Sequence, residues 1–106
     1  DRIAEWAIDN DIFSDNVRWL VQIPRLYDQF KTKGVVKSFE EMLKNIFNPL
    51  FEVTANPSSH PKLHVFLKRV VGFDCVDDES KPERRVHKKY PYPKFWESES
   101  NPPYSY

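Results

Sequence analysis

The chain has 106 residues, enough for one small domain. Its 16 basic and 16 acidic residues cancel, so no net field draws it to nucleic acid or to an anionic membrane. No apolar run approaches the roughly 20 residues of a membrane span, and the N-terminus lacks the basic-then-apolar order of a secretory signal. A single cysteine, Cys75, excludes an internal disulfide and fits a reducing compartment, so a cytoplasmic location is expected.

Ile3, Ala4, Trp6, Ala7 and Ile8 form an apolar stripe that predicts a short helix ending near Asn10. Asp9 to Asn16 reads as a loop, with Ile12 and Phe13 tucked under the fold. Val17 to Ile23 is strongly β-forming, and Pro24 ends it because proline cannot donate a ladder hydrogen bond. Arg25 lies just past that end. An arginine there either binds an anion or carboxylate of a ligand or closes a salt bridge on the rim of the fold.

Leu26 to Lys33 is short and amphipathic, and Gly34 breaks it. Ser38-Phe39-Glu40-Glu41 is a capping box, with Ser38 at the N-cap and Glu41 at N3. Phe39, Met42, Leu43, Ile46, Phe47 and Leu50 then recur at steps of three and four, the strongest helical pattern in the chain. Pro49 falls within it and is expected to kink or end the helix near Asn45 to Asn48. Phe51 and Val53 continue the apolar face. Asn56 to Ser59 is a turn, and Pro61 suits the first position of another helix, whose apolar face is Leu63, Phe66, Leu67 and Val70.

Val70 to Val76 is the second strand. Its apolar residues show little alternation, which predicts burial on both faces, as in a parallel sheet. Cys75 inside it reads as a small buried apolar residue rather than a nucleophile. Asp77, Asp78 and Glu79 follow at the strand's carboxyl end, where α/β folds meet their ligands. Holding the three acids close would raise at least one carboxyl pKa; a solvated turn is the plainer reading.

The order is helix, strand, kinked helix, helix, strand. Two strands joined by a helical crossover make a parallel, right-handed βαβ unit. From Lys81 the composition changes. Five of nine prolines fall there, among Lys, Glu, Ser and Tyr, and the Tyr90 to Trp96 piece reads as an extended connection whose aromatics dock onto the rest of the protein. Two parallel strands cannot bury both faces and both edges by themselves, whereas a closed barrel takes about 250 residues. The chain therefore reads as α/β: residues 1–80 a partial barrel segment, residues 81–106 an irregular connection. Asp1 opens inside a helical pattern and Tyr106 stops inside an aromatic run, as a cut segment would.

No complete active site is expected. His60 and His64 are four apart, but Pro61 puts His60 at or before the helix start and no third ligand accompanies them. With His87 they complete the histidines. His-x-His, Cys-x-x-Cys and Gly-x-Ser-x-Gly are absent, and Gly34 and Gly72 cannot make a phosphate loop.

Four stretches resemble the AMP deaminase family in the right order: Asn16 to Tyr27, Met42 to Glu52, Gly72 to Ser80 and Asn101 to Tyr106. Pro82 to Ser100 is the least alike. The resemblance implies a partial TIM-like (β/α)8 barrel, with Val17–Pro24 as its third strand and Val70–Asp77 as its fourth. It implies a zinc-dependent hydrolase that converts AMP and water to IMP and ammonia. It also implies a parent that is often tetrameric. The zinc ligands and catalytic Glu and His of the family are implied to lie upstream and downstream, so this segment alone is expected to bind no zinc and to be inactive. Asp77 stands where adenosine deaminases have a Gly that contacts the purine, and Arg25 matches a strand-end arginine of the superfamily; these two are the substrate-binding candidates. The other reading is an autonomous protein-interaction module that uses the Pro/Tyr-rich tail.

Overall fold

A computed structural model describes residues 2–12, 14–82 and 89–106. The expectation for Phe13 lies outside the described residues. The elements are α1 (Arg2–Asp9), β1 (Trp19–Pro24), α2 (Tyr27–Thr32), α3 (Phe39–Ala55), α4 (Pro61–Leu67) and β2 (Val70–Val76), with 3₁₀ turns at Pro57–Ser59 and Pro93–Phe95. The class is α/β, as the patterning predicts.

β1 and β2 pair as a two-stranded sheet. The Trp19 N–H donates to the Arg69 carbonyl (2.7 Å) and the Arg25 N–H to the Val76 carbonyl (2.8 Å), so the strands ascend together and are parallel. The two donors are six residues apart and the two acceptors seven, so β2 carries one residue more than β1 over this stretch, as at a bulge. Exposure alternates strictly along β1 and loses that alternation in β2 after Phe73.

Burial on both faces is not what the structure shows. Leu20 and Val71 are 60% and 67% exposed, and Phe73 is exposed as well. Trp19, Val21 and Val70 pack against the helical core, whereas Leu20 and Val71, next to them in sequence, are left exposed. Cys75, expected inside, is also exposed, as is Ile12.

The chain forms two compact units. The first comprises Asp1–Gln22 and Asn45–Asp74. Its core is Ala4 and Ala7 of α1, Val53 of α3, and Leu63 and Phe66 of α4, against which Trp19, Val21, Leu50, Leu67 and Val70 pack. The small alanines let α1 come close to α4, and a Lys62–Asp9 ion pair (2.6 Å) ties the two helices at their rim. Trp19 and Phe66 pack at 5.3 Å between ring centroids.

The second unit comprises Ile23–Lys44 and Cys75–Tyr106. Tyr27, Val36, Met42 and Pro102 are its buried residues among those described. Tyr27 meets Phe39 edge-on at 5.5 Å. Gly34 ends α2 with φ of +71°, a conformation glycine adopts without steric cost. At the start of α3, the Glu41 N–H faces Ser38 Oγ (3.4 Å), and Glu41 Oε2 accepts from the Lys37 N–H (2.8 Å), one residue earlier than in the expected capping box.

Pro49 does not end α3, which runs on for 17 residues to Ala55. A proline removes one donor, and a helix anchored by Leu50 and Val53 in a packed core absorbs that loss. Val53 is fully buried, whereas Phe51 faces outward. Val53→Ala should therefore destabilise the protein by about 2 kcal/mol, read as a shift of the chemical-denaturation midpoint at unchanged slope.

Candidate functional site

The parallel pairing brings the carboxyl ends of β1 and β2 side by side, and so brings together Arg25 and Asp77. Arg25 Nη1 lies 3.0 Å from Asp77 Oδ2, with side-chain exposures of 13% and 24%. Arg25 Nη2 donates to the Pro102 carbonyl. The guanidinium also lies over the Tyr104 ring, 3.8 Å from its centroid. Arginine's planar fork allows these contacts at once.

Asp77 Oδ1 accepts from the Asp78 N–H (2.8 Å), so both of its oxygens are engaged. Asp78 turns away into a tight bend. Its Oδ1 accepts from the Ser80 hydroxyl (2.5 Å) and the Ser80 N–H (3.0 Å), and its carbonyl accepts from the Lys81 N–H (3.1 Å). The run of acids was expected to raise a carboxyl pKa; Asp78 goes the other way. The Ser80 hydroxyl, then the Ser80 N–H, and the nearby Lys81 charge hold its carboxyl below the usual carboxylate range. Asp77 thus faces Arg25, while Asp78 and Ser80 build the turn that presents it.

Asn101 locks the end of β1 from the far end of the sequence. Its Nδ2 donates to the Arg25 carbonyl (3.1 Å), and its Oδ1 accepts from the Asp28 N–H (2.9 Å). Leu26, the N-cap of α2, has no side chain able to cap it. Asn101 supplies that function instead. Tyr27 is held similarly: its hydroxyl faces the Ser98 carbonyl at 2.8 Å and the Trp96 carbonyl at 3.1 Å. Burial, and then the charge of Glu97, push the Tyr27 phenol up.

A cleft of about 670 Å³ opens over these groups. Arg25, Asp77 and Glu79 line one part of it, and Tyr90, Trp96 and Tyr104 another. The tail's aromatics pack among themselves and on α3: Trp96 meets Tyr106 at 4.9 Å, and Tyr106 meets Phe39 at 5.8 Å. Part of the aromatic surface of the tail is thus spent inside the second unit. Reading the tail as an autonomous interaction module finds no support. Among the described residues of the connection, Pro93–Phe95 forms a 3₁₀ turn.

Zinc prefers several His, Cys or carboxylate ligands around one point. Among the described residues no group of three or more His, Cys, Asp and Glu gathers. Asp77 and Asp78 are committed to Arg25 and Ser80. His60 is the N-cap of α4, as Pro61 predicts, and faces Glu52 at 3.6 Å. These residues do not fit a zinc site. Also among the described residues, no helix is long and apolar enough to cross a membrane.

Parallel strands whose carboxyl ends gather charged side chains under a cleft are the layout of an α/β ligand-binding protein. The family model for AMP deaminase matches residues 1–106, and the chain belongs to that family. It is 65% identical to an AMP deaminase of Schizosaccharomyces pombe and 67% identical to one of Saccharomyces cerevisiae, in both cases over 106 residues and the whole of this chain. It is 58% identical to an AMP deaminase of Arabidopsis thaliana over the same length. The chain spans 13% of the length of each of these relatives.

Two outcomes follow from this geometry. Ser80→Ala should move the Asp78 carboxyl upward, though still below its ordinary range because the N–H of residue 80 and the Lys81 charge remain, seen as a shifted carboxyl-carbon NMR titration. Because the folded value is depressed, the bend's stabilisation is present above the unfolded carboxyl pKa and fades as pH falls through the folded one. Asn101→Ala should leave the Asp28 N–H and the Arg25 carbonyl unpaired and cost about 1–2 kcal/mol, seen as faster hydrogen exchange in the first turn of α2.

Proposed function

We propose that this chain is the part of an AMP deaminase barrel that carries its third and fourth strands, with residues 1–80 forming the barrel segment and residues 81–106 the connection to the next helix. The whole protein hydrolyses the 6-amino group of AMP to give IMP and ammonia, a step of IMP biosynthesis. It is a cytoplasmic homo-oligomer, a tetramer by likeness to its family. The zinc that this chemistry calls for is held by residues other than those described here, and the segment alone is inactive.

The observation that carries the reading is the Arg25–Asp77 pair at the joined carboxyl ends of two parallel strands, open to a cleft. The exposed apolar residues Leu20 and Val71 support it too: they are what neighbouring strands of a barrel interior would cover. Asp77 accepts from a purine N–H when ionised and donates to a bare ring nitrogen when protonated. Arg25 fixes the direction of that carboxylate.

In the full-length protein, Asp77→Asn should raise KM for AMP about tenfold with kcat little changed, the pattern of lost uniform binding. Unchanged KM and kcat would remove Asp77 from the site.

A further inference from the structure

Arg25 is held by more contacts than an ion pair needs. Besides Asp77, its guanidinium meets the Pro102 carbonyl and the Tyr104 ring, and its own carbonyl meets Asn101. All three of these partners come from one short run, Asn101-Pro102-Pro103-Tyr104. Two successive prolines fix φ along it, and each also restricts the residue before it to extended backbone, so the run is stiff.

Tyr104 is not part of the second unit's buried core. It is 57% exposed, and burial gives it little reason to be aromatic. Its ring offers a π face to Arg25 at 3.8 Å. A cation over that face loses freedom to swing, and the Pro102 carbonyl fixes the second nitrogen of the fork. The remaining nitrogen then points at Asp77.

We propose that Tyr104 is a positioning residue: its ring holds the Arg25 guanidinium against Asp77 so that the carboxylate is presented to the purine-binding cleft. The inference rests on the reading of Arg25 and Asp77 as ligand-facing. It adds that the tail, and not the barrel strands alone, sets the aim of the strand-end arginine.

The test is a double-mutant cycle on full-length protein with AMP as substrate, comparing Tyr104→Phe, Tyr104→Leu, Arg25→Ala and the Arg25→Ala/Tyr104→Leu pair. Tyr104→Phe keeps the π face and should leave KM and kcat within about twofold of the parent. Tyr104→Leu keeps apolar bulk without the π face and should raise KM about fivefold with kcat within about twofold. In the Arg25→Ala background the same Leu change should have almost no further effect. The proposal is overturned if Phe and Leu are equally harmful, if Leu is silent, or if Leu costs as much without Arg25 as with it. Arg25→Ala with unchanged KM and kcat would instead bring down the underlying reading of the pair. Should Tyr104→Leu lower the unfolding midpoint, Tyr104→Met replaces it under the same expectations.

Discussion

Parallel pairing of β1 with β2 is the constraint on which the rest depends. Parallel strands need a long crossover, and α2, α3 and α4 supply it. Because both strands run the same way, their carboxyl ends coincide. An antiparallel pairing of the same strands would put Arg25 and Asp77 at opposite ends of the sheet. The extra residue on β2 falls before this rim, where the ladder's last bond joins Arg25 to Val76. Charge then gathers there: a guanidinium and a carboxylate 3.0 Å apart, both largely shielded from water.

The second unit is held together in a different way from the first. The first has a contiguous apolar core of helix and strand side chains. In the second, the tail is joined largely through its backbone carbonyls and one amide side chain. Tyr27 reaches the Ser98 carbonyl, the Phe39 N–H reaches the Trp96 carbonyl (3.1 Å), and Asn101 bridges Arg25 and Asp28. A segment rich in proline lacks N–H donors and cannot run in a regular ladder, so its carbonyls are met one by one, by Tyr27, Arg25 and the Phe39 N–H. Family membership and this rim together make sense of why so irregular a tail is placed so specifically.

Much of this was legible in the residues. The β-forming run before Pro24, the run Val70 to Val76, the helix opened by Ser38 and the helix opened by Pro61 all appear where composition and period put them. What failed did so for identifiable reasons. Pro49 was expected to kink or end the helix; it does not end it, and the packing of Leu50 and Val53 beyond it outweighs one lost donor. Cys75 and the sheet's exposed residues were read as buried because composition describes a strand's wish for cover, not whether these residues provide it. For the acid run the plainer reading, a solvated turn, is what the structure shows, and the raised carboxyl does not appear at Asp78, where two hydrogen bonds from Ser80 lower it. For Arg25 the salt-bridge alternative is the contact observed, and its partner is the other candidate residue. Asn101 and Tyr104 were not singled out as candidates. The only signal was Asn-Pro-Pro, a stiff extended run, and nothing local says that it closes on a residue so far away.

That distance has a consequence for how the chain folds. Arg25 and Pro102 are 77 positions apart, Asp28 and Asn101 73, and Tyr27 and Trp96 69. Contacts of such separation raise contact order and form slowly, since most of the chain must be gathered before they can reward it. During synthesis the first strand leaves the ribosome long before Asn101 does, so the rim around Arg25 stays unfinished until the tail has emerged.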